Sequence, residues 1–130
     1  MARKVKTITL DNGRDKGKKF VITEMSAANA ESWAWKVATY AMNNGMEFTD
    51  FLGMASIAQA GFSILEKLKF EQLKELLDEL FACIEYLPDP KDPTVRRDAE
   101  TDDLEEPSSL VRLRFSAFQL HTGFFPDAKD

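Results

Sequence analysis

The pattern between Phe70 and Pro88 constrains this chain more than any other. Phe70, Leu73, Leu76, Leu77, Leu80, Phe81, Ile84 and Leu87 recur at helical spacing, which predicts one broad apolar stripe along a helix over 70–87. Glu71, Glu75, Asp78, Glu79 and Glu85 fall at other positions. Pro88 stops the run, because proline disfavours helix in the residue before it. A stripe this wide must be covered, so the remaining elements have to pack against it.

Residues 1–24 read as a β-hairpin: Val5, Ile8 and Leu10 mark one strand and Phe20-Val21-Ile22-Thr23 the other, around the Asp/Asn/Gly-rich stretch 11–19. Residues 26–88 read as a helical core. Ser26 caps a helix over Ala27–Asn43, in which Ala30, Trp33, Ala34, Val37, Tyr40 and Ala41 share a face, and Asn44-Gly45 ends it. Thr49 or Asp50 caps a second helix to about Leu68, with Phe51, Met54, Ala55, Ala58, Phe62 and Leu65 on one face. That helix carries almost no charge before Glu66, so it is either the centre of a bundle or part of a partner surface. Residues 89–106, rich in proline and acids, read as an acidic loop or disordered linker. Residues 107–125 read as a C-terminal helix, although Val111 to Phe115 also alternates like a strand. The expected fold is mainly α in an α+β class: an N-terminal β-hairpin followed by a bundle of about four helices, in a single domain over 1–130.

Composition narrows the chemistry. Apolar residues make up 44% and charged residues 30%, ordinary values for a soluble protein. One cysteine, Cys83, and one histidine, His121, exclude an intrachain disulfide and a Cys/His metal cage. No apolar run approaches about 18 residues, so no membrane partner is expected, and the charged start lacks the apolar core of a signal peptide. Residues 1–19 hold seven basic against two acidic residues, while 89–106 hold three against eight. The net charge of −5 argues against a general nucleic-acid binder; the basic turn reads as a solvated loop, with an RNA contact as the rival. Gly13 to Lys19 falls one residue short of a phosphate loop, lacks its Ser/Thr and precedes a strand, so it is not a nucleotide site. Glu71, Glu75 and Glu79 share a helix face and read as a solvated exterior. Cys83 reads as a small buried hydrophobe, and His121 as a cap on the last helix. No catalytic residue, cofactor or metal ligand is expected, and hence no enzyme.

Apolar excess stands out instead. Trp33, Trp35, Met42, Met46, Phe48, Met54, Phe62, Phe118, Phe124 and Phe125 are many bulky groups for one small core. Methionine and aromatic side chains are enriched at protein interfaces. Phe51, Met54, Phe62, Phe118, Phe124 and Phe125 are therefore the expected partner-binding residues, the last two because they follow a helix stop at Gly123.

Lys6-Thr-Ile-Thr-Leu-Asp-Asn-Gly13 and Lys19-Phe-Val-Ile-Thr-Glu-Met25, then Ala30-Glu-Ser-Trp33, the Leu-Leu-Asp-Glu-Leu core of 70–87, and the closing Leu-His-Thr-Gly-Phe-Phe resemble tail assembly chaperones of long-tailed, lambda-like and HK97-like bacteriophages. The resemblance covers nearly the whole chain, and the long basic turn from Arg14 to Lys19 departs from it. It implies a non-enzymatic protein of the infected host's cytoplasm, missing from the finished tail. It implies binding to the tape measure protein, and to the tail tube protein through a longer frameshifted form, with homo-oligomers possible. Ending at Asp130, the chain resembles the shorter form. The competing expectations are a structural virion protein, such as a head–tail connector or tail component, and an RNA-binding regulator using the basic hairpin.

Overall fold

The computed structural model describes residues 3–48 and 50–123. β1 (Val5–Thr9) and β2 (Lys19–Thr23) form the N-terminal hairpin, paired antiparallel with Ile8 opposite Phe20. The turn is drawn together by Leu10 N–H donating to Lys18 O (3.0 Å) and Gly17 N–H to Leu10 O (2.8 Å). Four helices follow: α1 (Ala27–Asn43), α2 (Met54–Ala60), α3 (Phe70–Phe81) and α4 (Pro107–Thr122). Two more strands, β3 (Ile84–Leu87) and β4 (Arg97–Asp98), extend the hairpin into a four-stranded antiparallel sheet in the order β1-β2-β3-β4. The molecule is thus α+β, an N-terminal hairpin followed by helices.

α1 has the bounds its periodicity predicts. Ser26 Oγ accepts the Asn29 N–H at 3.2 Å, and Trp33, Ala34, Val37, Ala38 and Ala41 are buried. Trp33 also donates its indole N–H to the Leu76 carbonyl (3.2 Å), which fixes α1 against α3 through a polar contact inside the core. α4 confirms the helical reading of its segment. Pro107 occupies its first turn, and Gly123, at φ +79°, ends it in the left-handed conformation that a side chain would strain.

Two expectations need correction, and a third gains detail. The helix over 70–87 stops at Phe81, and its last turn is strand β3. Ile84 pairs with Ile22 and Tyr86 with Phe20, whose rings stack 5.0 Å apart, so sheet pairing wins over helical periodicity. The second helix is also cut short. α2 ends at Gly61, whose φ of +84° turns the chain into a 3-10 segment, Phe62–Lys67. That break seats Phe62 edge-on against both Phe115 and Phe118, each 5.1 Å away, and buries Ile64 and Leu65. The expected Thr49 cap lies outside the described residues, and Asp50 to Gly53 are not helical. The acidic segment 89–106, finally, carries β4 and a 3-10 turn, Thr101–Asp103.

A buried carboxylate fastens that segment to the hairpin. Asp15, fully buried in the basic turn, accepts the backbone N–H of Glu105 (2.9 Å) and of Glu106 (3.1 Å), the Ser109 hydroxyl (2.6 Å) and the Lys18 ammonium (2.9 Å). It therefore caps α4 from a distant part of the chain, as Glu106 makes no cap hydrogen bond with its own side chain. Lys18 also donates to the Asp103 carbonyl (2.7 Å), and Arg14 to Glu106 (3.0 Å) and the Glu105 carbonyl (2.9 Å). The basic and acidic blocks of the sequence thus meet each other, where the turn's charges were expected to be solvated.

Candidate interaction surface

The bulky residues divide by burial. Trp33 and Phe118 are 1% exposed and belong to the core, with ring centroids 6.2 Å apart. Phe118 is therefore corrected from partner anchor to core residue: α4 turns it inward between Trp33 and Phe62. Phe62 is half-buried in the same cluster. Phe51 and Met54 are half-buried beside a surface groove. Phe124 and Phe125 lie outside the described residues.

The groove holds about 660 Å³ between the first turns of α1 and the chain entering α2. Ala27, Ala28, Ala30, Glu31, Trp35, Phe51, Leu52, Gly53 and Met54 line it. Trp35 is 48% and Leu52 73% exposed. Trp35 packs on Phe51 (centroids 4.7 Å), and Phe51 meets Phe48 edge-on (5.3 Å), so the aromatic surface is continuous and held from behind. Leu52 is presented by a tight turn in which its N–H donates to Ser56 Oγ (2.8 Å). Sequence reasoning chose Phe51 and Met54 as partner-binding residues, counted Trp35 only among the excess bulky groups, and passed over Leu52. Helix geometry holds the signal for Trp35: two residues from Trp33 is about 200° around α1, so both indoles cannot face one core.

A second groove of about 710 Å³ is polar, with Ser26, Asn29, Lys36, Glu79, Cys83 and Asp98 among its lining residues. Lys36 and Glu79 in it are already paired. Lys36 pairs with Glu79 and with Glu75 (2.9 Å), and Tyr40 donates to Glu75 (2.7 Å). Two of the three glutamates expected on a solvated face therefore tie α3 to α1. Burial, helped by Glu79, pushes the Cys83 thiol up to about 11, so it stays protonated at neutral pH. His121 is buried, with Nδ1 against the Ala117 carbonyl (2.8 Å) and Nε2 accepting the Met25 N–H (2.9 Å). Nδ1 is occupied within α4, Nε2 ties that helix to the residues leading into α1, and burial holds the imidazole below its usual pKa. Among the described residues no group of three or more His, Cys, Asp or Glu is placed to hold a metal ion, and no helix is long and apolar enough to cross a membrane.

No protein-family model, curated protein or solved structure matches the chain.

Proposed function

We propose that this protein is a non-enzymatic assembly chaperone of a long-tailed bacteriophage, acting in the host cytoplasm and missing from the mature virion. It binds the tape measure protein through the α1–α2 groove and keeps that client soluble while tail tube subunits, recruited by a longer frameshifted form, assemble around it. The observation that carries the reading is the exposed face of Trp35 and Leu52 beside Phe51 and Met54, on a chain of net charge −5. Apolar anchors supply client affinity, and the like-charged frame limits self-association. The resemblance of the hairpin, the 70–87 stripe and the C-terminal Leu-His-Thr-Gly-Phe-Phe supports the choice of client. Pairing of Arg14 and Lys18 with the 103–106 segment favours this reading over RNA binding by the hairpin.

Co-expression with the tape measure protein tests it. The wild type is expected to keep the client soluble, and a Trp35→Ala, Leu52→Ala double variant to lose that ability. Interface anchors of this kind commonly cost about 2 kcal/mol each when truncated, roughly thirtyfold in affinity. A folded double variant that solubilises the client as well as wild type removes the groove from the mechanism. Mass spectrometry of purified particles should find no copies of the chain; stoichiometric copies would make it a structural virion protein.

A further inference from the structure

The charge around the α1–α2 groove selects among segments that could seat there. Glu31 lines the groove and Asp50 immediately precedes its Phe51 wall; both are exposed. Among the described residues no hydrogen bond or ion pair engages either carboxylate. No lysine or arginine among the described residues lines the groove, and Lys36, the cation nearest in sequence to Glu31, is held by Glu75 and Glu79 of α3. The partial positive charge at the start of α1, about half a unit, is smaller than the two full negative charges. An anionic segment would place like charges together, whereas a cationic flank gains two partners.

The groove also restricts backbone geometry. Its lining comes from α1, α2 and the turn before α2, with no strand among them. A bound segment finds no sheet edge among these lining residues, which removes strand addition and favours a helix that pairs its own backbone. The small side chains of Ala27, Ala28 and Ala30 in the lining permit the close approach that a helix ridge needs.

We propose that this groove receives an amphipathic helix whose apolar ridge seats between Trp35, Phe51, Leu52 and Met54 and whose flank sets Lys or Arg against Glu31 and Asp50. This deepens the client-binding reading, since it names the chemistry of the bound segment.

The test uses two fluorescein-labelled amphipathic peptides of about 18 residues, long enough for five helical turns, one of Leu and Lys and one of Leu and Glu. Anisotropy with the full chain should show saturable one-to-one binding of the Leu/Lys peptide, at least about tenfold tighter than the Leu/Glu peptide and weaker in high salt. Leu52→Glu should weaken it, and a Glu31→Lys, Asp50→Lys double variant should invert the preference. A control at distant exposed acids, Glu66→Lys with Glu71→Lys, should leave the order unchanged. Equal binding of both peptides, failure of the inversion, or an equal effect of the control overturns the proposal. So does a chain dimer that dissociates on Leu52→Glu, which gives the groove to a second copy. A gain above about tenfold on removing residues 124–130 gives it to that segment, with the same consequence. These readouts need no tape measure protein. Peptide failure with intact client solubilisation sinks only the helix proposal, and the converse sinks only the phage reading.

Discussion

Asp15 is the side chain on which most separate parts of the chain converge. Burial alone would raise its pKa, but hydrogen bonds from Ser109, Lys18 and the Glu105 and Glu106 backbone outweigh burial and hold the carboxyl well below the usual range. The unfolded chain, with an ordinary carboxyl near 3.8, takes up the proton first as the pH falls. The contribution of Asp15 is therefore complete above about pH 4 and is lost progressively below it. Asp15→Asn is expected to cost about 3–5 kcal/mol at neutral pH, because it leaves Lys18 half-buried without its counter-charge. Denaturant midpoints from pH 2 to 7 should show the wild-type advantage shrinking in acid while the variant's profile is flatter; parallel profiles would contradict this account. His121 has the same protonation sense, although its favoured form is neutral where that of Asp15 is charged. Burial dominates and lowers its pKa from the ordinary 6.5, against the upward pull of the Ala117 carbonyl and Glu24, while Lys4 adds to the fall. The folded state binds the neutral ring, so its contribution is intact above about pH 6.5 and declines as the pH falls below that. A proton-NMR titration of the single histidine should give a midpoint below 6.5. A midpoint at or above that value would mean that the Met25 hydrogen bond does not hold in solution.

At the scale of elements, α3 and its neighbours carry the clearest tests. Leu76 and Leu80 are fully buried on α3, while Leu77 is only half-buried at the edge of the same cluster. Leu80→Ala should therefore cost about 2–5 kcal/mol, and Leu77→Ala less than that. Equal costs in equilibrium unfolding would misplace the stripe by one residue. The 97–106 stretch should also behave unlike a free linker. Ala99 N–H donates to Ile84 O (3.0 Å), Leu104 N–H to Thr101 O (3.2 Å), and Arg97 forks onto Asp103 at 3.0 and 2.6 Å. Hydrogen exchange should protect the amides of Ala99, Glu105 and Glu106, and Asp15→Asn should release the latter two while sparing Ala99. Release of all three together would show one cooperative unit in place of two anchors.

For the whole molecule, the opposed charge blocks close on each other, and the apolar groove is a surface extension of the core, with Phe48, Phe51 and Met54 packed against the core and Trp35 and Leu52 exposed. An exposed groove residue contributes little to folding. Leu52→Glu, at a site 73% exposed, should shift stability by less than about 0.5 kcal/mol while abolishing client and peptide binding. A thermal or denaturant midpoint measured beside the binding assays separates a lost surface from a lost fold. If Leu52→Glu unfolds the chain, the α1–α2 face is part of the core and no client site remains there.

The sequence by itself determined the hairpin and the bounds of α1 and favoured helix over strand for α4, because each has local cues: strand propensity around a turn, a serine cap, proline at the start and glycine at the stop. It also determined the apolar stripe of α3 as far as Phe81. It marked Phe51 and Met54, since a nearly uncharged run with methionine and aromatics is visible without coordinates. Only the tertiary structure decided the rest. Ile84 to Leu87 fits helix and strand patterns equally, and the vacant edge of β2, sixty residues away in sequence, selects strand. Phe118 and Trp35 are equally apolar, and the rotation of their helices, fixed by the Trp33 contacts to Leu76 and Phe118, puts one in the core and the other on the surface. Asp15 looked like one more charge in a basic turn. Its role depends on partners 90 to 94 residues along the chain, because a buried carboxylate can cap whichever helix the fold brings to it.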